Sequence, residues 1–170
     1  MLHSRLFAAA ALVLLPLALG QPKPASLESR LQRLEDIDEI RGVLIDYGRF
    51  LDARDFGSYS RLFAKDGEWV GGLGTVKGPA AIQAFMEKNI PGPNTAHNYH
   101  LLSNFEIEVH GDTATAWSRW AFVVPGPDGK PTIAQGGRYD DLLVRENGHW
   151  KFKRRTASND LPSSGPVQTR

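Results

Sequence analysis

Apolar residues recur every three or four positions between Leu27 and Ala53. That spacing is typical of a helix with one apolar face, so the chain is predicted to form one long amphipathic helix over this range. Gly42 and Gly48 weaken the helix pattern and indicate close packing or a bend.

Two short helices and two short strands are predicted after the long helix. Asp55 is placed to cap a second helix over 57–64, and Pro79 suits the first turn of a third helix over 80–88. Between these two helices, a short strand near 68–70 leads into a glycine-rich hairpin and a second strand segment that ends at Gly78.

From His100 onwards the period of the apolar residues changes to two, which is typical of strands in a half-buried sheet. Turn sequences separate four such segments, and they predict a four-stranded antiparallel meander with strands at 100–109, 113–124, 133–145 and 150–158. Helices grouped before most of the strands indicate an α+β fold. A curved antiparallel sheet wrapped around the long helix would enclose a cone with an open mouth, which is a natural pocket for a ligand.

The start of the chain has the parts of an export signal. A short basic region with Arg5 precedes an apolar run of about fourteen residues, and Ala18 and Gly20 supply small residues at the two positions that a signal peptidase reads. The run is shorter than the roughly twenty residues that a membrane-spanning helix needs, and Pro16 would interrupt it. An uncleaved anchor is the alternative. We expect four parts: a signal peptide over 1–20, a linker over 21–26, one domain over 27–161 and a flexible tail over 162–170.

Length and composition narrow the class of protein. A chain of 170 residues is long enough for one domain with a core. Its 20 basic and 19 acidic residues nearly balance, which argues against nucleic acid as a partner. The basic cluster at 151–155 is interpreted as a solvated sheet surface, because alternation divides its side chains between two faces. The sequence has no cysteine, which excludes disulfides, thiolate metal sites and cysteine nucleophiles.

Two histidines, His97 and His100, lie where a loop leads into the first long strand. Their spacing could bring two ligands to a metal, but no clear third ligand follows, so no metal site is predicted. Strict alternation places His100 on the more polar face of its strand, with Asn104, unless a bulge near Ser103 shifts the register. The sequence has no phosphate-binding loop, nucleophile elbow or dinucleotide motif, and no cofactor is predicted.

Four strings, in this order, carry a family resemblance: FLDARDFGSYSRLFAKDGEW, GTVKGPAAIQAF, HLLSNFEIEVHGDTATA and GGRYDDLLVRENGHWKFKRR. The chain resembles the SnoaL-like group of the nuclear transport factor 2-like superfamily over roughly residues 30–160. The resemblance implies a cone-shaped, cystatin-like α+β barrel. The superfamily includes dehydratases, isomerases, cyclases, dehydrohalogenases and proteins without chemistry, so the fold alone does not name a reaction.

Within that group the chain resembles enzymes of the scytalone dehydratase and hexachlorocyclohexane dehydrochlorinase type. Those enzymes pair an Asp at the end of the first long helix with a His at the start of a strand, and the resemblance places the pair at Asp52 and His100. An imidazole can take a proton near neutral pH, while a carboxylate on its other nitrogen fixes the tautomer. The alternative is that Asp52 caps the end of a turn or pairs with Arg49 or Arg54 on the helix surface.

The resemblance is incomplete elsewhere in the pocket, so the substrate does not transfer. A pocket lysine of the dehydrochlorinase corresponds here to Tyr47, and the tyrosine pair of the dehydratase has no clear counterpart. The candidate substrate-binding residues are Tyr47, Trp69, His97, Asn104 and Tyr139.

The string GGRYDD leaves a choice open. Arg138 and Asp140 share one face of the strand, and Tyr139 and Asp141 share the other. One pair is expected to line the cone while the other forms cross-strand ion pairs, for which the candidate partners are Arg119 and Arg155. The two glycines indicate a bend or the close approach of another element.

The sequence and the resemblance together predict an exported, cofactor-free lyase or isomerase that acts on a small, mostly apolar, oxygenated molecule. His100 would be the general base and Asp52 its orienting partner. The alternative is a non-catalytic module of the same fold that binds a small hydrophobic ligand or mediates dimerisation. The resemblance implies association through the exposed sheet, with a homodimer as the default and a trimer as a second option. Neither nucleic acid nor, after signal cleavage, a membrane is expected as a partner.

Overall fold

The computed structural model describes residues 25–161, so the predicted signal peptide, most of the linker and the tail lie outside the described residues. In this part of the chain the elements are α1 Leu27–Ala53, α2 Phe56–Arg61, β1 Phe63–Gly71, β2 Gly74–Lys77, α3 Pro79–Asn89, β3 Tyr99–His110, β4 Thr113–Pro125, β5 Pro131–Glu146 and β6 His149–Asn159. The predicted α+β order is confirmed. The main difference in boundaries follows α2, where Phe63 and Ala64 begin a strand, because Phe63 pairs with Phe152 of β6.

Helix α1 is the long helix that the apolar spacing predicts. Ser26 caps it, and its hydroxyl oxygen accepts a hydrogen bond from the backbone N–H of Ser29 at 3.1 Å. The apolar side chains buried on its inner side are Ile40, Leu44, Tyr47 and Leu51. Three leucines nearer its start are more than half exposed: Leu27, Leu31 and Leu34. Only the second part of the helix therefore packs into the core.

The ends of the two short helices follow their predicted signals. Asp55 caps α2, since its carboxylate accepts a hydrogen bond from the backbone N–H of Ser58 at 2.9 Å. Pro79 is the first residue of α3. Among the described residues, the structure contains no helix with the length and apolar content needed to cross a membrane.

The six strands form one curved sheet with the order β2-β1-β6-β5-β4-β3. Strands β3 to β6 make the predicted antiparallel meander, whereas β1 lies parallel to β6, a pairing that the sequence pattern did not predict. We call the face of the sheet that packs on α1 the inner face and the opposite one the outer face. Gly48 of α1 lies against Leu102 of β3, where an added Cβ atom would come within 2.7 Å, so the expected close packing is confirmed at this glycine.

An arginine of the last strand is buried in the core. The pairing of β5 with β6 shifts register between Leu142 and Leu143, and this bulge turns Arg155 to the inner face. Its guanidinium donates two hydrogen bonds to the Asp141 carboxylate, at 2.8 and 2.7 Å, and both side chains are 0% exposed. It also lies over the rings of Tyr47, Tyr139 and Phe152. The interpretation of the basic cluster as a solvated surface is therefore wrong for Arg155, because the bulge reverses the direction of its side chain.

The choice left open in GGRYDD is thereby resolved. Tyr139 and Asp141 point inward, whereas Arg138 stays on the outer face, where it forms ion pairs with Asp140 and Asp160. Gly137 meets the backbone of β6 so closely that an added Cβ atom would lie 1.9 Å from the Ser158 carbonyl oxygen. The expected close approach of another element is confirmed at this glycine.

Candidate active site

The structure brings Asp52 and His100 into direct contact. Nδ1 of His100 lies 2.6 Å from Oδ1 of Asp52, and the backbone N–H of His100 donates to Oδ2 at 2.8 Å. Both oxygens of the carboxylate are therefore engaged by one residue. A carboxylate can only accept, so Nδ1 carries the proton and Nε2 keeps its lone pair when the imidazole is neutral. The exposed fractions of the side chains are 19% for Asp52 and 14% for His100.

The end of α1 and the loop before β3 are tied together beside this pair. Asn94 donates from its amide nitrogen to the carbonyl oxygens of Asp52, at 3.1 Å, and of Asn98, at 2.6 Å. The backbone N–H of Asn98 returns a hydrogen bond to the Asn94 side chain at 3.1 Å. These bonds fix the loop against the last turn of the helix two residues before His100. Asn94 is a positioning residue that the sequence analysis missed.

A bulge in β3 decides the direction of His100. The pairing with β4 shifts register between Ser103 and Glu106, and Asn104 has a positive φ of 54° within this bulge. His100 and Leu102 before the bulge are partly buried on the inner face, as Phe105 is after it. Strict alternation would have placed His100 and Phe105 on opposite faces.

The bulge also excludes Asn104 from the pocket. Its side chain is exposed and it does not belong to the cavity lining. The structure therefore places Asn104, a candidate substrate-binding residue, outside the lining of this cavity. His97 is likewise exposed, with a φ of 53° in the loop before β3, and lies outside the lining. Of the five candidate substrate-binding residues, Tyr47, Trp69 and Tyr139 line the cavity.

The cavity between α1, α2, α3 and the inner face has a volume of about 510 Å³. Its wall contains six aromatic side chains in addition to His100: Tyr47, Tyr59, Trp69, Trp120, Phe122 and Tyr139. The ring of His100 lies 4.9 Å from that of Phe122 and 6.2 Å from that of Trp120, measured between ring centroids. A mainly apolar wall with a small number of polar groups is typical of a small-molecule site.

Several polar groups at the wall were not predicted as site residues. They are Arg54, Tyr59, Gln135 and Asn159. Tyr59 could have been found, because the pattern of α2 already turns it inward. Arg54 follows the end of a predicted helix, and the direction of a side chain at such a position cannot be read from periodicity. Within the described residues, the structure has no group of three or more His, Asp and Glu side chains placed to hold a metal ion.

The buried tyrosines remain neutral hydrogen-bond donors. Trp69 donates from its indole N–H to the Tyr47 hydroxyl oxygen at 2.9 Å, so the Tyr47 proton must point elsewhere. Burial raises the pKa of Tyr47, and it raises the pKa of Tyr59 and Tyr139 well above the ordinary phenol value. These phenols can therefore donate to an oxygen of a bound molecule without losing their own protons.

We expect the stability of the protein to fall as pH rises above about 10, the pKa of a tyrosine in an unfolded chain. Above that pH the unfolded chain loses phenol protons that the folded chain keeps, so each buried tyrosine lowers the free energy of unfolding by about 1.4 kcal/mol per pH unit. Urea unfolding of the wild type and of Tyr139→Phe at about pH 9 and about pH 11 measures this effect. Between these two pH values, the free energy of unfolding of Tyr139→Phe should fall less than that of the wild type, by the contribution of one tyrosine. An equal fall in both proteins would contradict the assignment.

Comparisons with known proteins agree with this architecture. The SnoaL-like domain family matches residues 32–156. An uncharacterised protein of Mycobacterium tuberculosis is 31% identical over 127 residues, which cover 72% of this chain and 84% of that protein. The crystal structure of an NTF2-like protein with a cystatin-like fold from Novosphingobium aromaticivorans matches with a TM-score of 0.69 at 30% identity, over 76% of this chain and 85% of that one.

The crystal structure of LinA matches with a TM-score of 0.67 at 23% identity, over 78% of this chain and 91% of that one. A likeness at this level of identity shows that the two proteins share a fold. It does not show that they share a reaction. The comparisons thus support a small-molecule-binding or catalytic protein with this fold.

Proposed function

Because the chain belongs to the SnoaL-like family, we propose that it is a cofactor-free lyase or isomerase whose cavity holds a small, mostly apolar, oxygenated molecule. The observation that supports this most is the contact between Nδ1 of His100 and Asp52 at the wall of that cavity. A carboxylate on one nitrogen of an imidazole makes the other nitrogen a positioned base.

In the proposed elimination, Nε2 of His100 takes a proton from a carbon atom of the substrate. The electron pair of that C–H bond forms a carbon–carbon double bond, while the bond from the neighbouring carbon to its hydroxyl oxygen breaks. The departing hydroxide takes the proton back from the imidazolium and leaves as water. Asp52 stabilises the imidazolium while it exists, because its negative charge lies 2.6 Å from Nδ1. Return of the proton to a different carbon would give isomerisation with the same base.

The neutral tyrosines supply the second requirement of this chemistry. Removal of a proton from carbon leaves negative charge on the substrate, and hydrogen-bond donors at a carbonyl oxygen would stabilise it. Tyr139 lines the cavity as a protonated phenol, and Tyr47, whose oxygen accepts from Trp69, lines it beside Tyr139. Tyr47 and Tyr139 are only 2% and 3% exposed, and hydrogen bonds are stronger in such a buried environment.

The proposal is tested with a panel of cyclic and open-chain β-hydroxy ketones in D₂O. Proton NMR follows deuterium uptake at the carbon next to the carbonyl and the appearance of alkene protons. We expect the wild type to catalyse exchange or elimination with at least one member of the panel, and His100→Asn to lose this activity. His110→Asn is the matched control, because His110 lies at the far end of β3 with its side chain 67% exposed.

Two results would contradict the catalytic role. Retention of the activity in His100→Asn would exclude His100 as the base. Binding of panel members without exchange or elimination by the wild type would favour the non-catalytic pocket instead.

We further propose that two copies associate through the outer face as a homodimer. A groove of about 610 Å³ crosses this face, with the acidic Glu106 and Glu108 of β3 at one side and Arg154 of β6 at the other. A two-fold axis parallel to the strands and near β4 and β5 would place the acidic side of one copy over the basic side of the next. Leu142, 48% exposed, lies between them.

We expect the protein to sediment as a dimer and Leu142→Arg as a monomer, because a buried unpaired charge opposes association. Ile45→Arg is the control, since Ile45 is similarly exposed, at 47%, but lies on α1 away from the groove. A monomeric wild type, or dissociation by both substitutions, would contradict this interface.

Export through the predicted signal peptide is part of the proposal and would appear as a mature chain that starts at Gln21.

A further inference from the structure

One residue gives the cavity a positive charge. Arg54 is the single side chain with a permanent charge among the described residues that line it. Asp52, two positions earlier, does not belong to the lining, and both of its oxygens are already engaged by His100. Among the described residues of the lining, Arg54 is therefore the side chain that can form an ion pair with a negative group of a bound molecule.

The hydrogen-bonding capacity of Arg54 is largely unused. A guanidinium has five N–H donors, and one of them, on Nη1, donates to the carbonyl oxygen of Leu51 at 2.8 Å. The same carbonyl also accepts from the backbone N–H of Arg54 at 3.2 Å, so the side-chain bond adds to the cap at the end of α1. Nε of Arg54 is buried and has no hydrogen-bond partner among the described residues. A charged donor left in this state is costly, and an acceptor supplied by a ligand would remove the cost.

The backbone at Arg54 adds an independent observation. The residue follows the last turn of α1 in the left-handed region, with a φ of 60° and a ψ of 22°. Glycine or asparagine is the usual choice for this capping position, because a longer side chain adds strain there. An arginine at this position carries a side chain into the cavity wall that the helix cap itself does not require.

We propose that Arg54 binds a carboxylate of the substrate, so that the molecule in the cavity is a small aromatic or hydroaromatic acid. This inference rests on the proposed function and narrows its substrate class. The planar fork of a guanidinium matches the two oxygens of a carboxylate. A carboxylate held by Nε and a second donor of Arg54 would leave the apolar part of the molecule among Trp120, Phe122 and Tyr139, beside His100.

The test compares phenylacetate with its neutral analogue phenylacetamide. Both probes carry the same ring, and they differ mainly in the charge of one group. Binding is followed by NMR on the indole N–H signals, because Trp69 and Trp120 line the cavity whereas Trp117 and Trp150 do not. We expect the wild type to bind phenylacetate at least about tenfold more tightly than phenylacetamide, as a charge-assisted hydrogen bond would require.

The variant Arg54→Gln should weaken phenylacetate binding by about tenfold or more and leave phenylacetamide binding unchanged. Arg49→Gln is the matched control. It removes an arginine from the last turns of the same helix, where Arg49 pairs with Asp46 and its side chain is 61% exposed, and it should not change either constant. Both variants are compared with the wild type by circular dichroism, so that a folding defect is recognised.

Equal binding of the two probes by the wild type would overturn the inference. So would the absence of any shift with phenylacetate, or an equal loss of both probes in Arg54→Gln. The same titration in His100→Asn separates this inference from the proposed function. A carboxylate preference that persists in His100→Asn would support the role of Arg54. If the wild type also catalysed neither exchange nor elimination, the catalytic role of His100 would be refuted while the role of Arg54 stood.

Discussion

Replacing Asp141 by alanine is expected to lower the free energy of unfolding by about 3–5 kcal/mol. The substitution leaves the Arg155 guanidinium buried without its anion, and its other close neighbours are the rings of Tyr47, Tyr139 and Phe152, at 4.0 to 4.2 Å from the guanidinium carbon. Burial lowers the pKa of Arg155, but the Asp141 carboxylate offsets this and holds the pKa above its ordinary value. The arginine therefore stays charged in the folded protein. Urea unfolding followed by circular dichroism measures the loss.

The adjacent residue provides the control for this prediction. Asp140 lies on the outer face, where its ion pair with Arg138 is 52% and 40% exposed, and Asp140→Ala should cost no more than about 1 kcal/mol. A double substitution, Asp141→Leu with Arg155→Met, removes both charges and should recover most of the stability. If Asp141→Ala and Asp140→Ala had the same effect, the buried pair would not carry the stability that we assign to it.

Replacing Asp52 by asparagine should lower kcat/KM for the elimination substrate by about 100- to 10,000-fold, the usual range for general acid–base catalysis. An asparagine amide can donate to Nδ1, which would move the imidazole proton to Nε2 and leave no base facing the substrate. The rate of proton exchange with a substrate from the D₂O panel measures the effect. KM should change less than kcat, because Asp52 does not line the cavity.

The control for Asp52→Asn lies on the same helix. Asp46→Asn removes a carboxylate that pairs with Arg49 at 2.8 Å on the helix surface, and it should leave the rate unchanged. A proton signal of Nδ1–H in the NMR spectrum of the wild type, lost in Asp52→Asn, would report the hydrogen bond itself. An Asp52→Asn protein with full activity would show that His100 does not need an orienting carboxylate.

The elements of this fold follow from local patterns. A period of three to four defined α1 from Leu27 to Ala53, and a period of two defined the meander from β3 to β6. Capping positions such as Asp55 and Pro79 were read correctly because the side chains of the first helical turn act within a few residues. The parallel pairing of β1 with β6 was not predicted, because it joins segments that lie far apart in the sequence.

The Asp52 and His100 pair was predicted from a family resemblance, and the structure places the two side chains 2.6 Å apart. Periodicity alone would have turned His100 to the polar face of its strand. The bulge at Asn104 decides otherwise, and the same bulge removes Asn104 from the pocket. No pattern in a single strand reveals such a shift, because a bulge is defined by pairing with a neighbour.

The sequence by itself therefore determined the order and type of the elements, since both depend on spacing and on contacts within one or two turns of the chain. The tertiary structure alone decided the direction of two charged side chains, Arg155 and Arg54. The bulge in β6 buries Arg155 against Asp141, and the left-handed end of α1 carries Arg54 into the cavity wall. The direction of Arg155 depends on the register between β5 and β6, and that of Arg54 depends on one backbone dihedral angle. Each of these is fixed by packing between segments that are distant in the sequence.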